Sequence, residues 1–149
     1  RRPTKLRRYD QAEALYRRAL WIQERALKDQ SSTANTLINL AELYALEKRY
    51  AEAGRIATRA LNLYIGAFGL EHPGVAVALN NLAQIAKHEG RGAEAESLYR
   101  RCLEVAARTL GESHPDYARY TGNLADLYAK QGRFRAAEVL YGRALAVLK

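Results

Sequence analysis

Apolar residues in this chain recur at i, i+3, i+4 and i+7, the spacing that lines one face of an α-helix. Leu37, Leu40, Ala41 and Tyr44 form one such stripe. Ala53, Ile56, Ala57, Ala60, Leu61 and Tyr64 form a second, and Lys48-Arg49 separates the two. Later breaks fall at Gly90-Arg91 and Gly132-Arg133, where Gly suits the left-handed residue that closes a helix. The pattern predicts about seven helices, over residues 9–28, 32–47, 50–68, 73–89, 92–110, 115–131 and 134–148.

The stripes repeat. Leu40-Ala41, Leu82-Ala83 and Leu124-Ala125 recur at 42 residues, as do Asn39, Asn81 and Asn123. Ala53, Ala95 and Ala137 keep the same period, and so do Arg59, Arg101 and Arg143. A partial copy lies 41 residues upstream, where Tyr9, Ala12, Leu15 and Arg18 match Tyr50, Ala53, Ile56 and Arg59. Each period holds two helices, and one pair alone cannot bury its apolar face. The predicted fold is therefore all-α, a solenoid of antiparallel helix pairs. Repeats are expected over about 9–30 (partial), 31–72, 73–114 and 115–149, as a single domain behind a basic leader of residues 1–8. That leader is a linker or the remnant of a preceding helix.

The links between pairs carry their own signature. Gly69-Leu70-Glu71-His72-Pro73 recurs as Gly111-Glu112-Ser113-His114-Pro115. Gly ends one helix, and Pro opens the first turn of the next, where its missing N–H costs nothing. The first link, Lys28-Asp29-Gln30-Ser31-Ser32, lacks this signature, and Ser31 or Ser32 is its expected N-cap. The small residues Ala41, Ala83 and Ala125, with Ala53, Ala95 and Ala137, mark close helix approach. Leu98, Tyr99, Leu140 and Tyr141 are expected to fill the space between.

Composition narrows the picture without changing it. Ala and Leu supply 48 of 149 residues, whereas Val, Ile and Thr supply 16, which disfavours strands. The single cysteine cannot form an internal disulfide, so a reduced, cytoplasmic protein is expected. With no Met, the sequence reads as a piece of a longer protein. The net charge of +8 is concentrated at one end. Arg1, Arg2, Lys5, Arg7 and Arg8 carry five of those charges, leaving 19 basic and 16 acidic residues beyond. Neither nucleic-acid nor membrane binding is expected.

Several strings resemble the tetratricopeptide repeat family in its longer, kinesin-light-chain-like form. They are Leu79-Asn80-Asn81-Leu82-Ala83, Arg18-Ala19-Leu20-Trp21-Ile22, the run from Gly132 to Tyr141, and the two Gly-x-x-His-Pro links. The family's ordinary period is about 34 residues. The extra residues, about two turns, fall after Leu61 and Leu103, so second helices should be the longer ones. Two features depart from the family pattern. Ala86 and Gly92 are small where Tyr is usual, and Gly122 stands at the position equivalent to Asn80.

The resemblance implies a right-handed superhelix that binds proteins, with first helices lining a groove for a peptide or partner helix. It assigns ligand-backbone contacts to Asn39, Asn81 and Asn123. Helical geometry adds Asn35, Ile38 and Glu42, then Val77, Asn80, Gln84, Lys87 and His88, then Arg119, Asp126 and Lys130. The set is mixed in charge and slightly basic, which suits a partner with some acidic residues. The Asn ladder has a structural alternative, bonding between repeats.

Other chemistry is thin. The row of Arg18, Arg59, Arg101 and Arg143, with Arg17 and Arg100, reads as a solvated face. Cys102 occupies a small-residue core position shared with Ala60 and Ala144. His72 and His114 belong to links. The expectation is no enzyme, no cofactor and no metal. The open alternatives are a self-association module, or a targeting or sensor arm of a larger enzyme or signalling protein. End-to-end self-association is expected through the last helix, around Leu140, Ala144 and Leu148.

Overall fold

The computed structural model describes residues 3–27 and 30–148, and among them every regular element is helical. The order is α1 (Thr4–Ile22), a π-helical turn (Gln23–Leu27), α2 (Gln30–Leu46), α3 (Tyr50–Phe68), α4 (Pro73–His88), α5 (Gly92–Thr109), α6 (Pro115–Lys130) and α7 (Phe134–Leu148). No described helix is long and apolar enough to cross a membrane.

Five of the seven expected helices agree with these bounds to one residue at each end. The other two differ. Helix α1 starts at Thr4, within the basic leader, and passes into a π turn. Helix α2 starts at Gln30, so Ser31 and Ser32 lie inside it rather than capping it. Lys28 and Asp29 of that link, Arg1 and Arg2 of the leader, and Lys149 lie outside the described residues.

The chain divides into two compact units, one ending at Gly69 and one beginning at Leu70. In the first, α2 packs along α3, and α1 leans on α2. In the second, α4 pairs with α5, α6 pairs with α7, and α5 joins the pairs by packing on α6. The second helix is the longer one in the first two pairs: α3 has 19 residues against 17 for α2, and α5 has 18 against 16 for α4.

Alanines hold these pairs close. Ala41 and Ala53 are buried in the first unit, and Ala83, Ala95, Ala125 and Ala137 in the second. Around the latter four close Tyr99, Leu124, Leu127 and Tyr128. Tyr141, equivalent to Tyr99, is half-exposed instead, because no described helix follows α7 to cover it. Cys102 is fully buried, and burial pushes its thiol up to about 12, which leaves it unreactive.

Turns within the pairs share one geometry. The N–H groups of Arg49, Arg91 and Arg133 donate to the carbonyls of Tyr44, Ala86 and Tyr128, each at 2.8 Å. These six-residue closures satisfy carbonyls at the helix end. They require a left-handed residue, met by Gly90 and Gly132 at φ 79° and by Lys48 at φ 61°. A side chain there costs about 1–2 kcal/mol, so Gly132→Ala should lower the unfolding free energy by about 1 kcal/mol. Lys48→Gly should recover part of the same cost in the first unit. A urea titration with no shift for Gly132→Ala would show that this turn tolerates a Cβ.

The His-Pro links work through a cap that the sequence pattern did not predict. His72 Nδ1 accepts from the N–H of Gly74 at 2.9 Å, and His114 Nδ1 from that of Asp116 at 3.0 Å. Each histidine is the N-cap of its helix, with Pro at the first helical position. The accepting Nδ1 does what a Ser or Asp oxygen does elsewhere.

Candidate functional site

The expected groove residues fall on first helices in both units. In the first unit, Asn39 and Glu42 of α2 are exposed, and Ile38 is buried in the core. Asn35 is exposed too, and its Oδ1 accepts the hydroxyl proton of Tyr64 on α3.

The second unit contains two first helices, α4 and α6, tied side by side by two rungs. Asn123 Nδ2 donates to Asn80 Oδ1 at 2.9 Å. Two turns further on, Lys130 Nζ lies 3.5 Å from the Lys87 carbonyl oxygen. The rungs therefore align the helices over about 10 Å, seven residues at 1.5 Å each. Asn80 and Asn81 are buried, Val77, Gln84, Lys87 and Asn123 are half-buried, and His88, Arg119, Asp126 and Lys130 are exposed.

The structure thus brings Asn80, Asn123, Lys87 and Lys130 together directly. It also commits part of the Asn ladder to inter-repeat bonding. Asn80, buried to 3% exposure, owes its acceptor bond to Asn123. Asp126 accepts the hydroxyl of Tyr141 from α7. Arg119 stacks on the Tyr120 ring at 4.7 Å and lies 3.8 Å from Asp116. His88 is held below its ordinary value by burial and by the charges of Lys87 and Lys130, so it is neutral at pH 7. That end of the site is cationic through the two lysines.

The face of α6 turned away from Asn123 carries Tyr117, Thr121 and Leu124. With Leu103 of α5 and Leu140 and Arg143 of α7 they line a separate cleft of about 440 Å³.

Sequence reading missed an ion-pair clasp that occurs once in each unit. In the second, Glu96 of α5 accepts from Arg100 at 3.1 Å, from the Tyr128 hydroxyl at 2.9 Å and from Arg133 at 3.0 Å. The Arg133 guanidinium also lies 4.1 Å from the Tyr128 ring centroid, within cation–π range. In the first, Glu13 of α1 accepts from Arg17 at 3.0 Å, Tyr44 at 2.9 Å and Arg49 at 3.0 Å, and Arg49 lies over Tyr44 at 4.2 Å. The signal was present as Glu-x-x-x-Arg at 13 and 96 and Tyr-x-x-x-x-Arg at 44 and 128. It was hidden because its members lie on different helices, and Arg17 and Arg100 were grouped with a solvated row.

Burial opposes ionisation of Glu13 and Glu96, but the hydrogen bonds to each outweigh it and hold both carboxyls below the ordinary 4.5. A carboxylate with a lowered folded pKa stabilises above its unfolded pKa and loses that contribution as pH falls through the folded value. The stability gap between the parent chain and Glu96→Gln should therefore be full at pH 7 and shrink below about pH 4.5. Thermal melts across pH would contradict this if the gap were constant.

Comparison with known proteins agrees with the architecture. The tetratricopeptide repeat family profile matches residues 4–66, 32–91 and 74–149. No curated protein sequence matches the chain. Among solved structures, BtubC (BKLC) from P. vanneervenii is 32% identical at a TM-score of 0.87, over 96% of this chain and 57% of its own. The chain therefore spans just over half of that protein. A Podosopora anserina kinesin light chain protein with nearly identical TPR-like repeats is 22% identical at a TM-score of 0.77, over 96% of this chain and 68% of its own. A single-substitution variant of it aligns at 0.78. The 42-residue helix pairs, their alanine seams and the profile matched along the chain place this protein in the tetratricopeptide repeat family.

Proposed function

We propose that the chain is a non-catalytic scaffold that binds a peptide or partner helix on its first-helix faces, in the cytoplasm. The observation that carries this reading is the α4–α6 face. Two helices are held in register there, with half-buried Gln84 and Asn123, buried Asn81, and a cationic end at Lys87 and Lys130. An amide is both donor and acceptor, which suits an extended backbone. Lys87 and Lys130 favour a partner with acidic residues at that end. Membership of this family supports protein binding in general. The residue assignments are this proposal's own.

The test is selection of binding peptides from a random library on the full chain, followed by hydrogen-exchange footprinting. Protection should fall on α4 and α6 around Asn81, Gln84 and Lys130, and selected peptides should be enriched in Asp and Glu. Protection confined to the Leu103–Leu140 cleft would overturn the reading.

A second reading, self-association, draws on one observation. Val139, Leu145 and Leu148 of α7 are more than half exposed, and the two leucines reach 60%. Of the residues expected at such a contact, Ala144 is buried and Leu140 half-buried, so Leu145 and Leu148 form the available surface. Sedimentation over a concentration series separates this reading from a monomeric binding module.

A further inference from the structure

The two clasps have the same parts in the same register. Glu13, Arg17, Tyr44 and Arg49 correspond to Glu96, Arg100, Tyr128 and Arg133 two repeats later. Each joins a second helix to the first helix that follows it, α1 to α2 and α5 to α6. In each, three side chains converge on one carboxylate and an arginine covers the tyrosine ring. The intermediate copy of the pattern falls on Gly54, Thr58, Ala86 and Arg91. It contains no carboxylate, no second guanidinium and no phenol. Arg91 instead pairs with Glu89 and Glu94, next to it in the chain. The division of the chain into two compact units, between Gly69 and Leu70, falls within the span of this intermediate copy.

In repeat proteins, stability is a sum of intrinsic terms and nearest-neighbour interface terms. The interface terms decide which repeats open together. Hydrogen-bonded networks around a charge also contribute more than their separate pairs suggest. We propose that the clasps define the cooperative blocks of this chain, so that the helices up to Gly69 open as one block and those from Leu70 as another. This is a property of this sequence, written in four residues per clasp, and it does not depend on what the protein binds.

Native-state hydrogen exchange on the full chain tests it, with mass-spectrometric readout for each helix. Glu96→Gln should speed exchange through all of α4–α7 by roughly ten- to hundredfold, the range for losing a hydrogen bond to a charged group. Exchange in α2 and α3 should stay unchanged. Glu13→Gln should reverse the pattern. Either substitution accelerating both units alike would show one block and overturn the proposal. Acceleration confined to α5 and α6, without spread to α4 and α7, would overturn it as well. Should Glu96→Gln fail to fold, Tyr128→Phe decides between the same outcomes, since it keeps the ring and removes only the hydroxyl.

Discussion

Leu124→Ala is expected to lower the unfolding free energy of the second unit by about 2–5 kcal/mol, the range for truncating a buried leucine. Leu124 is 2% exposed and lies in the cluster with Tyr99, Ala125, Tyr128 and Ala137. Ala125 and Ala137 are packed in the same cluster, and Leu124 also lines the cleft with Leu103 and Leu140. Leu145→Ala, twenty-one residues on in a 60% exposed position, should cost well under 1 kcal/mol, as surface substitutions do. Guanidinium titrations of the two variants give the comparison. Equal losses would mean that α7 is covered in solution, and would favour the self-association reading.

The second large effect separates the two roles of the Asn ladder. Asn123→Ala removes the only donor shown for Asn80 Oδ1 and leaves a buried acceptor unmet, which costs about 1–3 kcal/mol of stability. Asn81→Ala should in addition cost affinity for a selected peptide by about 1–3 kcal/mol, and because Asn81 is itself buried its melting temperature should fall as well. The measurements are a melt and a binding isotherm for each variant. If Asn81→Ala lowers stability and leaves affinity intact, the ladder is structural throughout and the groove assignment fails.

Much of the fold was legible because its determinants are local and repeated. A 3.6-residue apolar period, glycines after α3, α4, α5 and α6, and prolines opening α4 and α6 place five helices to within one residue at each end. They do so because each signal acts within a few residues of itself. Where a signal was weak, the reading failed: the link at Lys28-Asp29 has no Gly or Pro, and α2 begins ahead of the predicted serine cap. The histidine caps escaped for a different reason. Histidine is rarely read as a capping residue, and only the geometry shows its Nδ1 on the Gly74 and Asp116 amides.

The site was less legible. Helical spacing says which residues share a face, so Asn80, Asn81, Lys87, Asn123 and Lys130 could be grouped from the sequence. It does not say which of them spend their hydrogen bonds on each other. That depends on how α6 lies along α4, and the 43-residue offset of the Asn123–Asn80 and Lys130–Lys87 rungs is set by packing of the whole unit.

The sequence alone determined the number of helices, their pairing, the alanine seams and the family, because periodicity and turn chemistry are carried by residues near one another in the chain. Only the tertiary structure decided that Asn123 is tied to Asn80, that Asp126 answers Tyr141, and that Glu13 and Glu96 each gather two arginines and a tyrosine. Each of these bonds except Glu13–Arg17 and Glu96–Arg100 joins side chains far apart in the chain. Their strength depends on distances of about 3 Å, beyond which hydrogen bonds fade. Such distances are fixed by how helices pack, and no pattern along a single helix encodes them.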